Sequence, residues 1–146
     1  MTKTNNSIPD ILQRSRTIAV VGLSAKTSRP SHEVADYLQQ NGYRIIPVNP
    51  AYAGTYILDE YCYASLQEAA SALSKEKIKI DIVDCFRKSD AILPIAEEAI
   101  AIGAPCLWMQ LGVVNEEAAA RARENGLEVV MDRCLKIEHM HAFKSG

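Results

Sequence analysis

Short apolar runs alternate along the chain with segments in which apolar residues recur at helical spacing. Five short apolar runs predict strands at about residues 17–21, 43–48, 79–85, 105–109 and 127–131. These runs are nearly continuous, which is typical of parallel strands buried on both faces. Strands that alternate with helices predict a parallel sheet between two helical layers. The pattern therefore indicates a single-domain α/β fold with a Rossmann-like, doubly wound parallel sheet in a three-layer sandwich.

Helices are predicted between the strands and in the tail. They cover about residues 31–41, 90–102 and 133–143, and two more open at Ser65 and Asn115. Ser65 and Glu68 form a capping box, in which each side chain can satisfy a free amide of the other. A short strand is expected near residues 55–58.

The resulting organisation has three parts. They are an N-terminal extension over residues 1–16, an α/β domain over 17–134 and a C-terminal tail over 135–146.

Composition and charge narrow the class of protein. The chain has 146 residues, of which 48% are hydrophobic and 23% charged, as in one globular domain. Its net charge of −2 gives no bulk attraction to nucleic acid, so an anion site would have to be a local cluster. No apolar run could span a bilayer, and residues 1–10 hold no signal-peptide core. Four widely spaced cysteines, expected as reduced thiols, complete the prediction of a cytoplasmic protein without a nucleic-acid or membrane partner.

The loop after the first strand carries the strongest candidate chemistry. Residues 22–31 contain one glycine where a dinucleotide-binding loop has three, but they are rich in hydroxyl and basic side chains and lead into a helix. Gly22 allows a tight turn, and the helix start adds free amides and a partial positive charge. The loop therefore predicts an anion site. The alternative is that Ser28 and Ser31 only cap the helix and that the basic side chains are solvated.

The ends of the other strands add polar and aromatic candidates. Asn49, between two prolines, stands where an NAD site has an acid. This argues against a dehydrogenase, although the segment could equally be only a stiff turn. Arg87, after Phe86, could clamp a phosphate or could pair with Asp90 instead. Trp108 fits the protein core and a wall of a ligand site equally well.

Four motifs taken together resemble a known family. They are residues 20–24 with 28–31, residues 47–50, residues 81–87 and residues 108–112. In this order they are similar to the small bacterial and archaeal CoA-binding proteins, which look like the CoA-binding domain of the succinyl-CoA synthetase α subunit. The resemblance covers about residues 17–134 and implies that the ligand is CoA or acyl-CoA.

The resemblance also implies which residues hold the coenzyme. The 22–31 loop would wrap its phosphates, the residues after the second strand would face the nucleotide, and the next two strand ends would border the rest of the molecule. The implied binding residues are Gly22, Leu23, Ser24, Ser28, Arg29, Pro30, Ser31, Asn49, Pro50, Phe86, Arg87, Trp108, Gln110 and Gly112. CoA carries a pyrophosphate and a ribose phosphate, so a loop rich in donors suits it better than an acid for a free diol.

The departures from the synthetase favour binding over turnover. The chain is too short for the synthetase's second domain with its phosphorylated histidine, and no nucleophile, base and orienting group occur as a set. The sequence therefore predicts a stand-alone CoA or acyl-CoA binding protein without ligase machinery. The alternatives are an NAD(P)-dependent or acyl-CoA-handling enzyme with an atypical phosphate loop, and an oligomer that has lost its ligand.

Two further questions concern metals and partners. Cys134, His139 and His141 match no metal signature, so no metal is expected. A homo-oligomer or a protein partner stays open.

Overall fold

A parallel sheet forms the centre of the computed structural model, which describes residues 8–143. The strands of this part are β1 (Thr17–Val21), β2 (Arg44–Val48), β3 (Tyr56–Ile57), β4 (Glu60–Tyr61), β5 (Ile82–Cys85), β6 (Cys106–Met109) and β7 (Glu128–Val130). Five of them form the main sheet in the order β2-β1-β5-β6-β7, and every neighbouring pair is parallel. The short strands β3 and β4 pair separately as an antiparallel hairpin.

Helices cover both faces of the main sheet. The helices within residues 8–143 are α1 (Ile8–Arg14), α2 (Pro30–Gln40), α3 (Leu66–Ser74), α4 (Ile92–Ala101), α5 (Glu116–Glu124) and α6 (Leu135–Phe143). Buried residues of α1, α2 and α6 share one apolar cluster with the sheet, and those of α3, α4 and α5 share a second. Two helical layers around one parallel sheet confirm the predicted three-layer α/β fold.

Alternate residues of each strand face the two helical layers. In β1, Val20 belongs to the cluster of α2, whereas Ala19 and Val21 belong to the cluster of α4. The register places Val20 beside Asp84 of β5, and Asp84 beside Trp108 of β6. These three side chains therefore share the face that α2 covers.

The chain order of the main sheet changes direction between β1 and β5, because β2 lies on one side of β1 and the later strands lie on the other. In such sheets ligands bind at the carboxyl ends of the strands, beside this switch point. The residues that directly follow β1, β2, β5 and β6 are Gly22, Asn49, Phe86 and Gln110. The topology therefore brings these four predicted site residues to one edge.

The helix starts at residues 66 and 116 follow their predicted caps. Ser65 Oγ accepts from the N–H of Glu68 at 3.1 Å, and Glu68 Oε1 accepts from the N–H of Ala64 at 3.4 Å. Asn115 Oδ1 accepts from the N–H of Ala118 at 2.8 Å. The Ser65 and Asn115 bonds satisfy amides that the first turn of each helix leaves free. Glu68 reaches the N–H of Ala64, one residue before the N-cap, instead of that of Ser65 as the capping box predicts.

Several boundaries differ from those expected, and the largest differences are at one strand and two helices, among them the tail helix, which begins at Leu135 instead of residue 133. The strand predicted from residue 79 begins at Ile82. The preceding residue, Asp81, links this segment to the start of β1, because its Oδ2 accepts from the N–H groups of Arg16 and Thr17 at 2.8 and 3.0 Å. The helix predicted from residue 90 begins at Ile92, after one 3-10 turn.

Only the first strand of the hairpin formed by β3 and β4 was predicted from the sequence. Its turn residues, Leu58 and Asp59, have φ values of +54° and +66°. Hairpin turns of this kind usually contain Gly or Asn, so a Leu-Asp turn gives no signal in the sequence.

Both chain ends contribute helices that pack on the domain. The predicted extension contains α1, whose Ile11 and Leu12 are buried, and the carbonyl of Leu12 accepts from the Tyr43 hydroxyl at 2.7 Å. The tail forms α6, which packs against α1 and α2. Residues 1–7 and 144–146 of the predicted extension and tail lie outside the described residues. Within residues 8–143, no helix is long and apolar enough to cross a membrane.

Candidate functional site

Gly22 is the point at which three strand ends meet. Its N–H donates to the carbonyl of Val48 at the end of β2 at 2.8 Å, and its φ is +95°. A Cβ at this position would overlap the carbonyl oxygen of Phe86, directly after β5. Glycine alone fits both the conformation and the close approach. The single glycine of the loop is therefore required by the packing of β1, β2 and β5.

The 22–31 loop is held in shape by two of its serines. The N–H of Ser24 donates to Ser31 Oγ at 3.0 Å, and the N–H of Lys26 donates to Ser24 Oγ at 3.0 Å. Both hydroxyl groups accept in these bonds, so their own hydrogens are left to donate elsewhere. Ser31 is buried in the first turn of α2, whereas Ser28 and Arg29 are exposed.

The start of α2 has no side-chain cap. Arg29 occupies the N-cap position in an extended conformation, and Pro30 is the first helical residue. The alternative that the loop serines cap this helix is therefore wrong. Uncapped amides and the helix dipole place a partial positive charge beside Ser24 and Ser31.

A cleft of about 330 Å³ opens beside this helix start. Its lining residues are Gly22, Ser24, Arg29, Pro30, Ser31, Asn49, Tyr52 and Phe86. We refer to it as the anion cleft, because its lining offers hydroxyl donors and one guanidinium and has no acid. Tyr52 is not among the binding residues that the resemblance implies. It lies in a 3-10 turn, Pro50–Tyr52, within the stretch that the sequence leaves irregular.

Asn49 fastens the end of β2 to the loop. Its Nδ2 donates to the carbonyl of Leu23 at 3.0 Å, and its Oδ1 accepts from the N–H of Ala51 at 2.9 Å and from Arg87 Nη2 at 3.4 Å. The side chain is 7% exposed. Both ends of the amide are thus engaged within the protein.

A second cleft, of about 600 Å³, lies along the ends of β5 and β6. It is lined by Phe86, Arg87, Lys88, Ser89, Asp90, Ala91, Gln110, Leu111, Gly112 and Val113. We refer to it as the Gln110 cleft. Phe86 lines both clefts, so they are neighbours along the carboxyl edge.

The cations of the two clefts make no ion pairs within the described residues. The predicted alternative of a pair between Arg87 and Asp90 is not formed, and Arg29 and Lys88 have no acidic partner either. Arg87 instead reaches back to Asn49, across the end of β1. These positive groups are therefore available to an anionic ligand.

A buried carboxyl lies under the Gln110 cleft. Asp84 is fully buried, and its Oδ1 accepts from Gln110 Nε2 at 2.7 Å, whereas Oδ2 has no hydrogen-bond partner. Burial raises the pKa of Asp84 to about 8, and the hydrogen bond from Gln110 opposes this rise. Asp84 was not among the predicted site residues, although an acid inside an apolar strand is the signal by which it could have been found.

Four of the predicted site residues line neither cleft, namely Leu23, Ser28, Pro50 and Trp108. Trp108, for which core and ligand wall were equally open, is fully buried in the cluster under α2, and its Nε1 donates to the carbonyl of Arg133 at 2.8 Å. Leu23 is also buried, so only its backbone faces the loop. The other ten residues are brought together around the two clefts.

The segment after β7 supports the rim of the Gln110 cleft. Gly112, with φ +85°, donates its N–H to Asp132 Oδ1 at 2.7 Å.

In the tail, His139 Nδ1 lies 2.8 Å from the Tyr37 hydroxyl, and its ring packs among Tyr37, Tyr43 and Phe143. The described residues contain no group of three side chains suited to a metal ion.

Several known proteins are similar to this chain in sequence, and solved structures among them have the same fold. Uncharacterized protein YneT of Bacillus subtilis (strain 168) is 46% identical over 132 residues, which are 90% of this chain and 91% of that protein. The structure of cell-free ID.343 from Thermus thermophilus is 37% identical, covers 91% of this chain and 94% of its own, and has a TM-score of 0.83. A hypothetical protein from Pyrococcus horikoshii OT3 is 35% identical, covers 97% and 99%, and also has a TM-score of 0.83.

The family assignment rests on most of the chain. Residues 16–140 match the family described as CoA binding domain, and this range includes both clefts and every residue that lines them. The chain therefore belongs to the CoA-binding domain family, as the four motifs predicted.

Proposed function

We propose that this protein binds CoA or acyl-CoA as a stand-alone binding protein. The phosphates occupy the anion cleft, and the remainder of the molecule, with its thiol or acyl group, extends past Phe86 into the Gln110 cleft. The observation that carries the proposal is the pair of neighbouring clefts along the carboxyl edge, both furnished with unpaired cations. Membership of the CoA-binding domain family supports the choice of ligand.

The chemistry of the anion cleft suits phosphate groups. Arg29 is exposed at the N-cap of α2, the free hydroxyl hydrogens of Ser24 and Ser31 point to a donor role, and α2 adds its dipole. A charge-assisted hydrogen bond from a guanidinium to phosphate is worth roughly 1.5–3 kcal/mol. Several such donors side by side explain why the loop needs only one glycine.

The end of β2 favours CoA over NAD. An NAD site uses an acid there to accept from the ribose hydroxyls. Asn49 holds this position, and its amide is already engaged with Leu23, Ala51 and Arg87. Oδ1 already accepts two bonds, so the amide has no acceptor left for a ribose diol. The NAD-dependent alternative therefore lacks its main recognition group.

We propose binding without turnover, and location in the cytoplasm. The linings of the two clefts, within the described residues, include neither cysteine nor histidine. Within that part of the chain, their serines Ser24, Ser31 and Ser89 are hydrogen-bonded to backbone N–H groups and not to a side-chain base, so no nucleophile is paired with a base there. Cys62, Cys85, Cys106 and Cys134 are free thiols, which supports a reducing compartment.

Ligand-dependent thermal unfolding tests the proposed function. CoA, acetyl-CoA, dephospho-CoA, NAD and NADP are compared at equal concentration. A ligand at about a hundred times its dissociation constant stabilises the folded state by roughly 2.7 kcal/mol. We expect stabilisation by CoA and acetyl-CoA, less by dephospho-CoA, and none by NAD. Stabilisation by NAD alone would support the oxidoreductase alternative, and no response to any of the five would contradict the proposal.

A further inference from the structure

Asp84 and Gln110 form a buried hydrogen-bonded pair under the Gln110 cleft, in which one carboxyl oxygen of Asp84 is left unbonded within the described residues. Asp84 lies on β5, the central strand of the sheet, between Val20 and Trp108, and no part of it is exposed. Among residues 8–143, Gln110 is its single hydrogen-bond partner, and Oδ2 has none. A carboxylate in such surroundings is uncompensated, whereas a neutral carboxylic acid is much less costly to bury.

In the part of the chain that the structure describes, no cation forms an ion pair with Asp84. The titratable groups contributed to this layer by the packed elements are Cys62, Cys106, Cys134, Tyr37, Tyr43, Tyr52 and His139. The Lys136 ammonium lies over the Tyr37 ring, and at the opposite end of the strands Arg14 and Glu128 pair with each other. Burial raises the pKa values of Cys62, Tyr37 and Tyr43, raises that of Cys106 to about 12 and lowers that of His139, so these side chains stay neutral near pH 7–8. On the other sheet face, burial raises the pKa of Cys85 as well.

Gln110 connects this buried acid to the ligand cleft. Its Nε2 is bonded to Asp84, and the same side chain lines the Gln110 cleft, together with the charged residues Arg87, Lys88 and Asp90. A glutamine amide has a donor end and an acceptor end. Whichever end faces Asp84, the other is the one offered to the cleft. The amide orientation therefore decides what the floor of the cleft can recognise.

We propose that Asp84 and Gln110 form a proton-linked switch that sets whether the floor of the Gln110 cleft accepts or donates a hydrogen bond. With Asp84 ionised, its Oδ1 accepts from Nε2 and the amide oxygen is offered to the cleft. When Oδ1 takes up a proton from solvent, it donates to Gln110 Oε1, and the NH₂ group turns to the cleft. The bond between the two residues is kept in both states, and one proton is the only species exchanged.

The direction of the switch follows from the burial of Asp84. Because burial raises its pKa to about 8, the acid form predominates at neutral pH. The cleft floor then offers an NH₂ donor, which suits a ligand carbonyl oxygen. This step rests on the proposed function, since the pantetheine arm of CoA carries amide carbonyls and acyl-CoA adds a thioester carbonyl. Above pH 8 the cleft floor presents the amide oxygen of Gln110 to the same ligand carbonyl, and two acceptors cannot bond to each other. The affinity for CoA or acyl-CoA therefore falls.

Nuclear magnetic resonance on the ligand-free protein tests the switch itself. The side-chain NH₂ signals of Gln110, assigned as those that Gln110→Met removes, are followed from pH 6.5 to 9.5 together with the Asp84 carboxyl carbon. We expect both to titrate with one midpoint. The protection of the NH₂ group against hydrogen exchange, relative to free glutamine at the same pH, should rise as the group turns from the cleft towards Asp84. Asp84→Asn should abolish the change in Gln110. A Gln110 signal that ignores the Asp84 midpoint would overturn the proposal, and this wild-type comparison holds even if Asp84→Asn does not fold.

Calorimetry tests the link to the ligand. Acetyl-CoA is used because its thiol is blocked and does not titrate. We expect its affinity for the wild type to fall about fivefold from pH 7 to pH 9, the worth of one hydrogen bond, and to stay level in Asp84→Asn. Equal pH dependence in both proteins would overturn the link. If acetyl-CoA does not bind at any pH while the Gln110 titration is observed, the switch stands and the proposed function fails.

Discussion

Arg87 Nη2 lies 3.4 Å from Asn49 Oδ1, so the ends of β5 and β2 are joined across the end of β1. Gly22 fills the space beneath this link, where a side chain would strike the carbonyl oxygen of Phe86. The link also keeps the guanidinium of Arg87 at the border between the two clefts. The candidate site therefore lies where linked strand ends meet the 22–31 loop, which its own serines hold in shape.

Replacement of Arg29 by alanine should weaken CoA binding ten- to a hundredfold. The change removes one charge-assisted hydrogen bond to phosphate, worth roughly 1.5–3 kcal/mol. The free energy of unfolding should stay within about 0.5 kcal/mol of the wild type, because Arg29 is exposed and makes no ion pair. Titration calorimetry gives the affinity. Arg123→Ala, an exposed arginine on α5, is the matched control and should bind CoA normally. Full affinity in Arg29→Ala would remove this side chain from the site.

Replacement of Gly22 by alanine should destabilise the protein by about 3 kcal/mol or more. The new Cβ meets the Phe86 carbonyl at a left-handed backbone position, so steric overlap adds to conformational strain. Gly126 also has a positive φ, +87°, but a Cβ there meets nothing within 4 Å. Gly126→Ala should therefore cost only about 1–2 kcal/mol. Urea unfolding of the two variants measures the difference, and equal losses would show that the close approach at Gly22 is unimportant.

Replacement of Asn49 by aspartate should lower stability by roughly 1–3 kcal/mol without creating an NAD site. Aspartate retains an acceptor for Ala51 but cannot donate to the buried carbonyl of Leu23. The acid that an NAD site requires would then be present, yet it would be engaged by Ala51 and Arg87. Urea unfolding and NAD titration provide the two measurements. Unchanged stability, or tight NAD binding, would contradict the role assigned to Asn49.

The stability of the protein should depend on pH through Asp84. The pKa of this carboxyl is about 8 in the folded state and roughly 3.9 in the unfolded chain. Its stabilising contribution is therefore fully present below about pH 4 and is lost as pH rises through 8, at about 1.4 kcal/mol per pH unit between these limits. In the Asp84→Asn variant the side chain at position 84 does not titrate. The difference in unfolding free energy between wild type and Asp84→Asn, measured from pH 5 to 9, should thus change with pH up to about 8, and parallel profiles would show that Asp84 is not buried as an acid.

The sequence predicted those features that depend on local chemistry. Thr17–Val21 is a continuous apolar run and forms β1 with the predicted bounds, and Ser65 caps α3 through the predicted bond. What it could not predict depends on contacts between distant segments. Strand periodicity assigns Trp108 to a face but not to the core, and its place is fixed by Arg133, 25 positions later in the chain.

The helix α1 shows the same limit. Ile8, Ile11 and Leu12 have helical spacing, but seven residues are too few to form a stable helix alone. It packs against α6, near the other end of the described chain. Because this contact is not visible in the sequence, the segment is predicted only as part of an N-terminal extension.

A crystal structure with excess CoA tests the central claim most directly. We expect the pyrophosphate at the start of α2, within hydrogen-bonding distance of Arg29 and the backbone of the 22–31 loop, and the pantetheine arm along Phe86 towards Gln110. Empty clefts at saturating CoA, or CoA bound at another surface, would contradict the account.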